Sequence, residues 1–119
     1  MRYCLALDLK NDPGLIEEYE KHHQAVWPEI LESFKESGIQ SMEIFRWENR
    51  LFMIMETDAS FSFEKKKVID TNSPIVQQWE SLMSKYQQAL PGAKPGEKWQ
   101  LMKKIFHTKN EYLKSAGRI

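Results

Sequence analysis

The chain has 119 residues, 41% of them hydrophobic, and its 17 lysines and arginines balance 17 aspartates and glutamates. That length supports one domain with one core. The zero net charge leaves no basic field for nucleic acid, and the single cysteine, Cys4, excludes an internal disulfide.

Residues Arg2 to Lys10 alternate, with Tyr3, Leu5, Leu7 and Leu9 on one face and Cys4, Ala6 and Asp8 on the other. This is strand periodicity. The opening segment is too short and too soon acidic for a secretory leader. No apolar run approaches membrane-spanning length, so the expectation is a soluble cytoplasmic protein with no membrane partner. Asn11-Asp12-Pro13-Gly14 then starts a helix, with Asp12 as the predicted cap and Pro13 in the first turn. The helix runs to about Gly38, a C-terminal stop. Pro28 falls inside it and is expected to kink or restart it near Trp27.

That helix carries a phenol, an imidazole and an indole at four-residue steps: Tyr19, His23 and Trp27. Such steps share one helix face. Tyrosine and histidine can exchange protons, and tryptophan can stack on a flat apolar surface. The set suits a neutral, hydroxyl-rich ligand such as a sugar. Aromatic stripes at this spacing more often serve packing. Beside the proline, Trp27 reads as core. His22, turned about 100° from His23 on the helix, reads as solvated.

Ile39 to Trp47 and Leu51 to Thr57 are two further predicted strands, joined by a hairpin turn at Glu48-Asn49-Arg50. Met53 and Met55 read as core residues. A helix is expected from Ser60 to about Ile69, its Lys65-Lys66-Lys67 run forming a solvated face. Another is expected from Ser73-Pro74 to about Leu90. Pro91 to Gly96 is a loop by composition, and Trp99 to Phe106 alternates as a last strand. Trp47 and Trp99 read as packing or dimer contacts, and His107 as a surface residue. Residues 108–119 read as a polar C-terminal tail after a domain spanning 1–107. No metal-ligand spacing and no phosphate-cradling glycine motif occurs.

The predicted order βαββαβ is that of an α+β ferredoxin-like fold, a four-stranded antiparallel sheet with both helices on one face. Several strands carry apolar residues on both faces. A second copy is the economical cover for the open face, which predicts a homodimer of dimeric α/β barrel type.

Tyr19-x-x-x-His23-x-x-x-Trp27-Pro28-Glu29, Gly38, the strand Leu51 to Glu56 and Val76-Gln77-Gln78-Trp79 resemble the L-rhamnose mutarotase family over roughly residues 2 to 106. The resemblance implies a dimeric ferredoxin-like protein that interconverts the anomers of 6-deoxy sugars without cofactor or metal. It implies that Tyr19 contacts the sugar, that His23 is the catalytic proton donor, and that Trp79 is the first of a sugar-contacting tryptophan pair. Two positions depart. The second tryptophan of that pair is Glu80, and a sugar-contacting tyrosine on the second strand falls at Met42. Both changes reshape a pocket around particular hydroxyls, which makes L-fucose the leading alternative to L-rhamnose. Glu80, pointing into the cleft, would bind hydroxyls or act as a base. The other readings are a cofactor-free monooxygenase, which needs an oxidisable aromatic substrate, and a non-catalytic ligand-binding protein, which would bind sugar without speeding anomer exchange.

Overall fold

The computed structural model describes residues 1–109; the expectation for the rest of the tail lies outside the described residues. Strand β1 (Arg2–Leu9) is followed by helices α1 (Pro13–His23) and α2 (Pro28–Ser37) and the strands β2 (Ile39–Trp47) and β3 (Arg50–Thr57). Helices α3 (Phe63–Thr71) and α4 (Pro74–Ser84) and the short strands β4 (Gln87–Gln88) and β5 (Gln100–Leu101) complete the described elements. The sheet order is β2-β3-β1-β4, with β5 also on β1 and every pairing antiparallel. The ferredoxin-like arrangement holds, with the first expected helix divided in two, the two expected after the hairpin present as α3 and α4, and the last strand position filled by two pieces. Among the described residues, no helix is long and apolar enough to cross a membrane.

Local chemistry places the breaks. The Asp12 carboxylate accepts the Leu15 amide at 3.1 Å, capping α1 behind Pro13. α1 ends at His23, and α2 starts afresh at Pro28 with no side-chain cap. A proline has no N–H to donate into a preceding turn, so the chain restarts rather than bends. Trp27 therefore sits in the link between helices, off the stripe it shares with Tyr19 and His23 in sequence. Ser62 and Ser73 cap α3 and α4 through the amides of Lys65 and Val76, at 3.0 and 3.3 Å.

The sheet fixes which side chains look inward. Leu5 lies opposite Met53, and Leu7 opposite Leu51. Met42 lies opposite Met55, and Ile44 opposite Met53. This set faces the helices, and Leu7 and Leu9 are fully buried. Cys4, Ala6, Ile54, Phe52 and Phe45 share the opposite face, where Phe45 remains half exposed and Trp47, one residue before the hairpin turn, is 78% exposed.

The C-terminal half departs from expectation. The last helix stops at Ser84 instead of about Leu90, and the last strand is Gln100–Leu101 rather than Trp99 to Phe106. The reason is the free edge of β1, whose N–H and C=O groups need partners. Gln87 and Gln88 pair with Leu9 and Asp8. Residues 89–99 then loop out through two prolines, and Gln100 and Leu101 return to pair with Ala6 and Leu5. Bonds from the Lys10 amide to the Tyr86 carbonyl and from the Met102 amide to the Cys4 carbonyl, both 2.8 Å, extend the two pieces. Two edge fragments thus share one strand position. Lys65 and Lys66 are half-buried rather than a solvated face, because Lys65 reaches Ser60 and Lys66 pairs with Asp70.

Gly38 closes α2 with φ +94, and a Cβ there would come within 2.5 Å of an Asp58 carboxylate oxygen. Left-handed backbone costs a non-glycine residue about 1–2 kcal/mol before any clash. Gly38→Ala is expected to lower stability by about 2 kcal/mol or more. Urea unfolding checks this, as a lower midpoint at unchanged slope.

Candidate active site

Between the helix layer and the inner sheet face lies a half-open cleft of about 1480 Å³. It divides the core. Leu9, Tyr19, Ile30, Leu51, Val76 and Trp79 belong to one buried cluster, whereas Leu5, Ile39, Met53 and Met55 form another. Half-buried Phe34, Ile44 and Trp99 touch both.

The cleft brings together every site residue expected from sequence: Tyr19, His23, Met42, Trp79 and Glu80 all line it. α1 supplies Tyr19 and His23 from successive turns, with ring centroids 4.4 Å apart. α4 supplies Trp79, whose ring meets His23 edge-on at 5.8 Å and Trp27 at 5.1 Å. Trp27 thus packs behind Trp79, consistent with its reading as core. β2 supplies Met42 on the floor, and Glu80 follows Trp79 on the rim.

The imidazole of His23 is oriented by its own helix. Nδ1 lies 2.9 Å from the Tyr19 carbonyl oxygen. A carbonyl only accepts, so Nδ1 carries the proton and donates it. The neutral ring then holds its lone pair on Nε2. Burial pushes the His23 pKa below the usual histidine value of 6.5; the bond to Tyr19 works against that shift and nearby His22 adds to it. The resting imidazole at neutral pH is therefore uncharged and able to accept a proton. Burial pushes the Tyr19 hydroxyl above the usual tyrosine value of 10.0, with a hydrogen bond from Gln87 pulling the other way. Tyr19 keeps its proton and can donate a hydrogen bond.

Two residues do more than the sequence reading gave them. His22 is not simply solvated: its Nε2 lies 3.2 Å from the hydroxyl of buried Tyr86. Trp99 does pack, as expected, against both core clusters, and in addition it lines the cleft. Its alternation with Gln100 was a readable strand signal, but the strand's place in the sheet was not. Gln87 also lines the cleft, and no sequence signal marked it, because the expected helix ran through it. Among the described residues, no group of three or more His, Cys, Asp or Glu side chains gathers to hold a metal ion.

A family model described as L-rhamnose mutarotase matches residues 2–108. An L-fucose mutarotase of Xanthomonas campestris is 43% identical over 107 residues, covering 88% of this chain and 86% of the relative. An L-rhamnose mutarotase of Phocaeicola vulgatus is 30% identical over 88 residues, covering 70% and 78%. The crystal structure of an L-rhamnose mutarotase from Formosa agariphila superposes with a TM-score of 0.66 at 22% identity, covering 90% of this chain and 97% of that one. That likeness concerns the fold.

The depressed His23 value has a readable consequence. NMR titration of its ring protons is expected to give a midpoint below 6.5. Between that midpoint and 6.5 the unfolded chain binds more protons than the folded one. This histidine's effect on stability is therefore an increase as pH rises through the window and a loss as pH falls through it. Thermal melts across the window, wild type against His23→Gln, isolate the contribution.

Proposed function

The chain belongs to the L-rhamnose mutarotase family, and on that premise we propose that it interconverts the α and β anomers of a 6-deoxy hexose, with His23 moving the proton. The protein is a sugar mutarotase, an isomerase. The observation that carries the assignment to His23 is its geometry: a neutral imidazole, its Nδ1 proton tied to the Tyr19 carbonyl at 2.9 Å, in the wall of the cleft.

Anomer exchange needs two proton movements. The anomeric hydroxyl loses its proton while the ring oxygen gains one, and the bond between the anomeric carbon and the ring oxygen breaks. The open-chain aldehyde rotates about its bond to C2 and closes on its other face. A neutral His23 begins as acceptor, its Nε2 taking the anomeric hydroxyl proton. The imidazolium so formed returns the proton on closure. Each turnover uses His23 in both senses, so the donor role implied by the resemblance is the second half of its cycle. Tyr19, protonated at working pH, gives its proton to the ring oxygen as that bond breaks and takes it back when the ring closes. Such positioned proton transfer contributes about 10²–10⁴-fold.

Trp79 offers a flat face for the ring carbons or the 6-methyl group. Glu80 offers acceptors for hydroxyls, and Met42 an apolar wall where a tyrosine would offer a hydroxyl. These two substitutions, together with a 43% identical relative that is an L-fucose mutarotase, favour L-fucose over L-rhamnose.

The outer sheet face suits a second copy of the chain. Phe45 and Phe52 lie opposite each other there, and Phe45 is 51% exposed. A homodimer would cover this pair, as the apolar composition of both sheet faces suggests.

Saturation transfer between the α and β anomeric protons tests the reaction. Wild type is expected to accelerate exchange of L-fucose above buffer and more than that of L-rhamnose. His23→Ala is expected to lose about 10²-fold or more of the acceleration while remaining folded. Unchanged exchange in His23→Ala sinks the role of His23; no acceleration of either sugar by wild type sinks the 6-deoxy hexose assignment. For the assembly, light scattering is expected to give twice the chain mass, and Phe45→Glu to halve it.

A further inference from the structure

Among the described residues the buried carboxylates are those of Asp8 and Asp70. Arg50 takes both oxygens of Asp8. Asp70 stands elsewhere, in the last turn of α3, and it lines the cleft together with Lys66, one turn before it. Lys66 donates to Oδ2 of Asp70. Nothing among the described residues donates to Oδ1, and that oxygen is not one of the unpaired atoms closed to water. The Asp70 side chain keeps 11% exposure and that of Lys66 25%. The second carboxylate oxygen can thus be reached from the cleft.

Helix stability does not account for this pair. An acidic group favours the first turn of a helix and a basic group the last, and a lysine four residues before an acid is the weaker order. In α3 the acid stands in the last turn, behind its lysine. Capping does not account for it either. Ser73 caps α4 with its own hydroxyl. The Asp70 carbonyl, not the carboxylate, accepts the Ser73 amide at 3.3 Å and the Gln77 side-chain amide at 2.9 Å. A buried ion pair also carries a desolvation cost that apolar side chains of similar size avoid. Local rules broken without a local gain mark a position shaped by function. A reachable acceptor beside an ammonium, in the wall of a cleft, suits a ligand rich in hydroxyls.

α4 relates the pair to the proton-moving groups. Gln77, in its first turn, holds the Asp70 carbonyl, and Trp79, two residues on, meets His23. Val76 and Trp79 both line the cleft. A sugar ring lying along this wall has α1 at one end and α3 at the other. We propose that Asp70 and Lys66 form a second sugar-recognition site in the cleft, Asp70 Oδ1 accepting a hydrogen bond from a hydroxyl on the side of the ring away from the anomeric carbon and Lys66 holding the carboxylate in place. The proposal rests on the mutarotase reading and adds to it a determinant of hydroxyl stereochemistry. With the anomeric carbon at His23, the hydroxyl that reaches α3 is the one on C4, across the ring. L-Fucose and L-rhamnose differ at C2 and C4, so a fixed acceptor at C4 separates them. Neither Asp70 nor Lys66 moves the proton.

The test is anomer exchange measured against sugar concentration for wild type, Asp70→Asn and the double variant Lys66→Met, Asp70→Leu, with melting temperatures of the free proteins. In Asp70→Asn the amide oxygen stays on Lys66 and an amide nitrogen, a donor, stands where the second oxygen accepted. The double variant removes the pair and leaves no unpaired charge behind. The sugars are L-fucose, its C4 epimer 6-deoxy-L-glucose and its C2 epimer 6-deoxy-L-talose. KM for L-fucose is expected to rise about three- to tenfold in both variants. Their kcat is expected to fall less than about threefold, since His23 and Tyr19 are intact. The preference between L-fucose and its C4 epimer narrows, while that between L-fucose and its C2 epimer stays. The double variant melts level with wild type or higher. An unchanged KM in the double variant overturns the proposal, as does a C4 preference that does not narrow. So does a double variant that melts much lower or does not fold, which makes the pair structural. If wild type speeds none of the three sugars, the 6-deoxy hexose reading fails and takes the second site with it; wild-type exchange beside unaffected variants removes the second site alone.

Discussion

Strand β1 bonds along both edges, and its register decides where the cleft lies. On one edge it pairs with β3 from Arg2 to Asp8; on the other it receives β4 at Asp8 and Leu9 and β5 at Leu5 and Ala6. A one-residue slip would turn Leu5, Leu7 and Leu9 to the outer face. With Leu7 and Leu9 fully buried, such a slip loses several kcal/mol of apolar burial, at roughly 1.5–3 kcal/mol for each leucine. The same register places Gln87 under α1, beside Tyr19. At the same end of β1, Asp8 is buried and held by both arms of Arg50, at 2.8 and 3.2 Å. Taking Arg50 away would leave the buried Asp8 carboxylate without its compensating charge, whereas Arg50 itself is largely exposed.

The helix layer meets this floor incompletely. The restart at Pro28 separates α1 from α2, and the cleft opens where a longer straight helix would have covered the sheet. The divided core is a consequence. Close-packed interiors favour continuous contact, and here three half-buried side chains, Phe34, Ile44 and Trp99, carry the contact between clusters. The gap is stability given up for access, the usual relation between a site and its scaffold. Within the gap, burial keeps His23 neutral and Tyr19 protonated, an accepting and a donating group on one helix face.

The fold alone does not single out this chemistry. A solved mutarotase that shares it is 22% identical, too distant to speak for more than the backbone arrangement. The family model, matching residues 2–108, gives the reaction. The chain's own Met42 and Glu80, both on the cleft wall, mark where it departs from the tyrosine and tryptophan its resemblance implied. They lie on different elements, β2 and α4, and line the cleft from both.

Local signals in the sequence determined much of this. Alternation marked β1, β2 and β3. Asp12-Pro13 and Ser73-Pro74 marked the starts of α1 and α4, and Pro28 the break. The four-residue step from Tyr19 to His23 determined their shared face, because helical geometry is local. That step did not extend to Trp27, since a proline ends the periodicity that spacing assumes. The tertiary structure decided what depends on partners distant in the chain. It stopped α4 at Ser84 and pulled Gln87 and Gln88 into the sheet, because the unpaired edge of β1 offers hydrogen bonds that no local pattern announces. It turned Trp99 into the cleft and brought His22 to Tyr86, 64 residues along the chain. Propensity and spacing report what neighbours in sequence prefer; which side chains meet across the cleft is set by the register of β1 and by the few long-range bonds that fix it.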